Sequence, residues 1–132
     1  MKLLLKDSLP FITATIGYGG VTVDIDNVLI DTGSASTVFA IDRLAEVQLT
    51  PLPDDTLHII RGVGGSEAVF SRRIDYLRVA GRSISDFEIE VGGMDYGFNI
   101  NGILGMDFLT VAGAMIDLGE LTLNVDDNDK LA

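Results

Sequence analysis

Val28-Leu29-Ile30-Asp31-Thr32-Gly33-Ser34-Ala35-Ser36 is an apolar run that stops at an acid, and the rest of the chain is arranged around that acid. Val28, Leu29 and Ile30 are apolar and largely strand-favouring, so they place the segment in a sheet. Gly33 then lets the backbone turn sharply and come close to whatever faces it. Thr32 and Ser34 set hydroxyls on the far side. A carboxylate held at the end of a buried strand among small hydroxylated neighbours is the arrangement expected of a positioned acid or base, which makes Asp31 the catalytic candidate. Asp, Gly and Ser are also common turn residues, so the tetrapeptide alone reads equally as a loop after a strand.

Outward from that stretch, Leu9 to Ile16 and Val21 to Leu29 alternate apolar with polar residues across Gly17-Tyr18-Gly19-Gly20, which predicts a hairpin. Ile41, Leu44, Ala45 and Leu49 stand at roughly helical spacing and predict one short helix over 40–49, ended by Thr50-Pro51-Leu52-Pro53-Asp54-Asp55. Leu57 to Ile60 and Ala68 to Ile74 flank Arg61-Gly62-Val63-Gly64-Gly65-Ser66 and predict a second hairpin with a glycine-rich, mobile tip. Tyr76 to Ala80 and Ile84 to Val91 predict a third, with one solvated face in Phe87-Glu88-Ile89-Glu90-Val91. Beyond a polar connection, Ile103-Leu104-Gly105-Met106-Asp107-Phe108-Leu109 reads as a strand followed by a helical turn, and Ala114 to Leu118 with Leu121 to Val125 close the chain. Short strands with turns every ten residues or so predict an all-β barrel or sandwich.

A length of 132 residues suits one domain spanning 1–132 with a core that needs no staples. The chain has no cysteine, which excludes a disulfide framework, a thiol nucleophile and a cysteine zinc site. No metal and no cofactor is expected. Nine basic against 20 acidic residues give a net charge of −11, which repels nucleic acid and anionic lipid surfaces. Met1-Lys2-Leu3-Leu4-Leu5-Lys6 has too few leucines for a signal-peptide core or a membrane span, so the chain as given is expected to be soluble and cytoplasmic, without direct membrane insertion. It could equally be the soluble part of a longer anchored protein, or a mature product whose leader has been removed.

Three features in order, the strand into Asp31-Thr32-Gly33-Ser34, the hairpin tip Gly62-Val63-Gly64-Gly65, and Ile103-Leu104-Gly105-Met106-Asp107-Phe108-Leu109, resemble the retropepsin-like aspartic proteases over about residues 9 to 125. The resemblance implies an acid-protease barrel with one or two short helices. It implies that Asp31 is catalytic and that the Thr32 hydroxyl braces the two active-site loops, with Gly33, Ser34 and Ile103-Leu104-Gly105 supporting the site. Leu29, Arg61, Gly62, Val63, Gly64 and Gly65 would then form a substrate wall and a flap. Where retroviral members carry carboxylates soon after the Asp-Thr-Gly and an arginine after the supporting glycine, this chain has Ala35, Ser36 and Met106, so the ion pair those make at the dimer interface is absent. Gly-Met-Asp-Phe-Leu looks more like the cellular and bacterial members, and substrate preference does not carry over from viral enzymes.

Peptide hydrolysis by water needs one carboxylate as base and one carboxylic acid to protonate the carbonyl oxygen. The chain holds no second Asp-Thr-Gly or Asp-Ser-Gly, and Asp117-Leu118-Gly119 lacks the hydroxyl. The simplest source of the second acid is Asp31 of another copy, which makes the expected protein a homodimer acting on peptide or protein substrates. The alternative is a catalytically weak or inactive module that keeps the fold for dimerisation or binding. His58, the only histidine, lacks a nucleophile elbow and reads as an ordinary strand residue. Gly62-Val63-Gly64-Gly65 lacks the ending of a phosphate loop, and Asp126-Asp127-Asn128-Asp129 lacks the glycine and distal glutamate of a calcium loop.

Overall fold

The computed structural model describes residues 1–62, 65–95 and 99–126. Ten strands and two short helices follow one another: β1 (Leu4–Lys6), β2 (Leu9–Tyr18), β3 (Val21–Ile30), β4 (Val38–Ala40), a 3-10 helix (Ile41–Val47), β5 (His58–Gly62), β6 (Gly65–Val79), β7 (Arg82–Gly92), β8 (Gly102–Leu104), α1 (Met106–Val111), β9 (Met115–Asp117) and β10 (Thr122–Asn124). The fold is all-β, as the turn spacing predicts. Eight strands run in the order β1-β2-β3-β8-β4-β7-β6-β5, and an added pairing of β2 with β6 closes the sheet on itself. Closure removes edges that would otherwise stand open.

The first hairpin forms as expected around Gly19 and Gly20, both at positive φ. The second and third share one strand, because β6 runs unbroken for 15 residues from Gly65 to Val79 and pairs with β5 on one side and β7 on the other. Phe87, Ile89 and Val91 of β7 are buried while Glu88 is exposed, which is the alternation the sequence predicts. The helix expected over 40–49 is a 3-10 helix instead. Ile41, Leu44 and Val47 stand three apart, the period at which side chains of a 3-10 turn eclipse, and Ala45 is left exposed. β1 and β4 are strands that local pattern does not announce; β4 is three buried residues wedged parallel to β7 and antiparallel to β8.

The barrel is filled by Ile12, Ala14, Ile16, Val23, Ile25, Val28, Ile30, Phe39, Leu77, Ile89, Leu104 and their neighbours, and Phe108 meets Phe87 edge-to-face at 5.7 Å between ring centres. A second apolar cluster, Phe11, Val38, Ala40, Val69, Met94 and Ile100, has Leu9, Leu29, Ile60 and Ile103 packed against it. It links the base of the β5–β6 hairpin to the β3–β8 pair. No helix among the described residues is long and apolar enough to cross a membrane.

Candidate active site

The direction in which Asp31 points is set four residues earlier. β3 pairs Ile25 with Ala14 and Val28 with Ile12, so Asp26 and Asn27 together oppose the single residue Thr13, which is a β-bulge. Asn27 takes φ 53, a left-handed conformation that asparagine tolerates better than most side chains. Before the bulge, Val23 and Ile25 point into the barrel; after it, Val28 and Ile30 do. The extra residue shifts the alternation by one, so Leu29 and Asp31 face out of the barrel core instead of into it. Leu29 pairs in register with Ile103 of the parallel strand β8, and both side chains are half-buried.

Asp31 is itself half-buried, and its backbone N–H donates to the Leu104 carbonyl at 3.0 Å, which ties the acid to the end of β8. The Gly33 N–H donates to Asp31 Oδ1 at 2.9 Å, and the Ser34 N–H donates to the Asp31 carbonyl at 3.2 Å. Gly33 is not in the left-handed region. A Cβ on it would meet Asp31 Oδ1 at 3.2 Å, so what glycine supplies here is room for the carboxylate. The Ser34 hydroxyl is turned back onto the loop, donating to the Ser36 carbonyl at 2.7 Å. Thr32 is exposed, beside the acid.

Ile103-Leu104-Gly105 runs beside the end of β3 and the Asp31 loop. Met106 N–H donates to the Ser34 carbonyl at 2.8 Å and Asp107 N–H to the Ala35 carbonyl at 3.3 Å, which seats the start of α1 on the acid loop. Gly105 is needed for that contact, because a Cβ there would run into the Ser36 carbonyl and stand 2.9 Å from the Ser34 oxygen. The Arg61 end of β5 pairs with Ser66, and Gly62 with Gly65, so these positions form the described part of the hairpin. Val63 and Gly64 lie outside the described residues.

Two residues that sequence reasoning passes over hold this arrangement together. Thr37 is fully buried; its hydroxyl donates to Asp107 Oδ1 at 2.7 Å and accepts from the Gly105 N–H at 3.0 Å, and its own N–H donates to Asp107 Oδ2 at 3.2 Å. Asp107 Oδ1 also accepts from the Phe108 N–H at 2.8 Å. One carboxylate thereby fastens the loop after Asp31 to the segment after Gly105. The available signal was a lone polar residue opening the buried run Val38-Phe39-Ala40 and a lone acid inside Ile103 to Leu109, but only the fold brings positions 70 apart together.

Beside the site, a groove of about 420 Å³ is lined by Lys6, Asp7, Leu9, Phe11, Asn27 and Asn99. Lys6 Nζ donates to Asn27 Oδ1 and stands 5.8 Å from the Phe11 ring centre, a cation–π distance. Leu9 and Phe11 also belong to the apolar cluster that carries Leu29 and Ile103, so groove and site are continuous. His58 sits at the start of β5 with Nε2 2.9 Å from Glu90 Oε2, an oxygen that also accepts from the Ser71 hydroxyl.

No curated protein matches this chain. A family model described as aspartyl protease matches residues 12–108, from the first long strand through the Asp31 loop to Phe108. Since that span takes in Asp31, Thr37 and the segment that packs on them, the chain belongs to the retropepsin-like aspartyl protease family.

Proposed function

We propose that the protein is an aspartic endopeptidase, one domain per chain, in which Asp31 from each of two copies forms a single carboxylate pair. The observation that carries this reading is the placing of Asp31. It is held by the Gly33 N–H and the β8 end, turned out of the core by the bulge at Asn27, and flanked by the apolar Leu29 and Ile103. The chain supplies one such acid, and the chemistry requires two.

Two carboxyl groups at contact distance share one proton, because both cannot ionise cheaply. The ionised Asp31 takes a proton from a water molecule while the protonated one gives its proton to the peptide carbonyl oxygen. Water oxygen bonds to the carbonyl carbon, giving a gem-diol. Return of a proton to the amide nitrogen and cleavage of the C–N bond release an acid and an amine and restore the shared proton. An extended peptide suits this face, since the β5–β6 hairpin presents backbone for pairing and Leu29, Ile103 and Ile60 offer apolar contact. The hairpin tip, with Val63, serves as a lid that keeps out water.

The test is cleavage of a mixed peptide library from mildly acidic to neutral pH by the wild type and by Asp31→Asn. Cutting between apolar residues, lost in the variant, is expected. A folded dimer with no Asp31-dependent cleavage would assign the fold to a binding module.

A further inference from the structure

We propose that the groove beside the site takes an acidic side chain of the peptide substrate, three to four residues from the cut, with Lys6 as the residue that sets this preference; this rests on the endopeptidase reading. Lys6 is placed by the fold and not by a loose chain end. Leu3 N–H donates to the Leu121 carbonyl and Leu123 N–H to the Met1 carbonyl, both at 2.8 Å, so the N-terminal segment is spent on β10. Lys6 then pairs with Leu9 where β1 turns into β2. From there its ammonium reaches Asn27 Oδ1, with the Phe11 ring alongside.

The groove offers more donors than acceptors. An ammonium carries three N–H donors, and among the described residues only Asn27 Oδ1 accepts from Lys6. No carboxylate forms an ion pair with it there, although the chain has 20 acidic residues against 9 basic ones. A neutral amide and a ring leave its charge uncompensated. Asn27 is 9% exposed, and because a lysine can only donate, the amide must turn its oxygen to Lys6. Its Nδ2 is left without an acceptor among the described residues. The neighbouring Asp26 is engaged elsewhere, accepting from Arg43 and from Asn101 Nδ2, each at 3.1 Å.

Asp7 is the one carboxylate lining the groove, so charge alone does not choose the ligand. Hydrogen bonding does. A carboxylate brings two oxygens to the free donors of Lys6 and Asn27, and such charge-assisted bonds are the strong ones. A basic side chain would meet the Lys6 ammonium with only Asp7 in its favour. For a chain of net charge −11, an acidic substrate needs such a local cation to be held at all.

The groove also lies at a usable distance from the chemistry. Asn27 stands four residues before Asp31 in sequence, about 13 Å at roughly 3.3 Å per residue. An extended peptide covers that span in about four residues. Leu9 and Phe11 join the groove to Leu29 and Ile103, so the path from the acid is apolar until it reaches Lys6. A volume of about 420 Å³ with a few placed polar groups suits a substrate side chain.

The probes are octapeptides with one apolar pair at the cut and Glu, Gln or Lys placed three or four residues to either side. The wild type is expected to favour Glu over Gln by about three- to tenfold in kcat/KM, with Lys lowest. Lys6→Met should bring the Glu-to-Gln ratio to about one, and Lys6→Glu should put the lysine peptide first. Lys2→Met, which removes the same charge beside β10, should keep the wild-type ratio, and Asp7→Asn should raise it. Equal cleavage of the Glu and Gln peptides by the wild type, with Asp31→Asn cutting neither, would overturn the subsite and leave the endopeptidase reading standing. A Glu preference that survives Lys6→Met overturns it too, and should the Lys6 variants not fold, the wild-type ratio alone decides. A folded wild type that cuts none of these peptides overturns the endopeptidase reading itself, and this proposal with it.

Discussion

Thr37 shows how much one hydroxyl can carry. It is buried, gives one hydrogen bond to Asp107 and takes one from Gly105, so replacing it by valine keeps the shape and leaves a buried N–H without an acceptor. Thr37→Val is expected to cost about 1–3 kcal/mol of unfolding free energy, read from urea denaturation. Cleavage should fall further than stability, since the loop it holds carries Asp31. Thr37→Ser, which keeps the hydroxyl, should recover most of both. Gly105→Ala belongs to the same contact and leaves no room to relax, because the obstruction is the Ser36 backbone; a loss of about 3 kcal/mol or failure to fold is expected.

Two elements acquire their roles from a local irregularity. The bulge in β3 decides which face Asp31 joins: plain alternation from Val23 and Ile25 would turn Asn27, Leu29 and Asp31 inward, and the extra residue puts Val28 and Ile30 there instead. Asn27→Gly, which keeps the left-handed backbone available, should stay within about 1 kcal/mol of wild type. Asn27→Val should cost about 1–3 kcal/mol, since a β-branched residue at φ 53 is strained. Thermal unfolding of the two variants would rank them, and equal values would refute the bulge account. The loop after the 3-10 helix depends on a different device. Arg72 of β6 donates to Asp55 Oδ2 at 2.6 Å, to the Thr50 carbonyl at 3.2 Å and to the Tyr18 hydroxyl at 3.0 Å. Asp55 also accepts from the Leu52 N–H, and the two side chains are only 11% and 16% exposed. Removing one member of such a shielded pair strands the other, so Arg72→Leu is expected to cost about 3 kcal/mol in denaturant titrations and to free the loop for protease cutting near Pro53. The exposed pair Arg43–Asp26 should contribute less than about 1 kcal/mol.

At the scale of the whole molecule, association and catalysis are tied together if the active pair is shared. Specific activity should then fall on dilution, following the dimer fraction measured by sedimentation. Each chain carries −11, so screening at higher salt should tighten the dimer, with charges beyond about 8 Å largely screened near physiological ionic strength. Asp31→Asn removes both the catalytic base and a like-charge contact at the axis. It should abolish hydrolysis and leave the dimer as tight as wild type or tighter at neutral pH. Activity per chain that stays constant through dissociation would sink the shared pair.

Local chemistry was legible because it lies within a few consecutive residues. Val28 to Gly33 announces a strand ending at an acid, Gly17 to Gly20 announces a turn, Phe87 to Val91 announces a half-solvated strand, and Gly102 to Leu109 announces a strand running into a helical turn. Composition excluded thiol chemistry and disfavoured nucleic acid. Tertiary structure alone decided what depends on closure over long separations. It placed Thr37 on Asp107, seated Gly105 against Ser36, drew β4 into the sheet between β7 and β8, and spent the N-terminal segment on β10. It also decided the outward aim of Asp31, because an Asp-Asn pair inside an alternating strand signals a bulge only when the facing strand is seen to be one residue short. Turn and strand preferences act through neighbouring backbone, whereas packing and register depend on partners that the chain supplies tens of residues away.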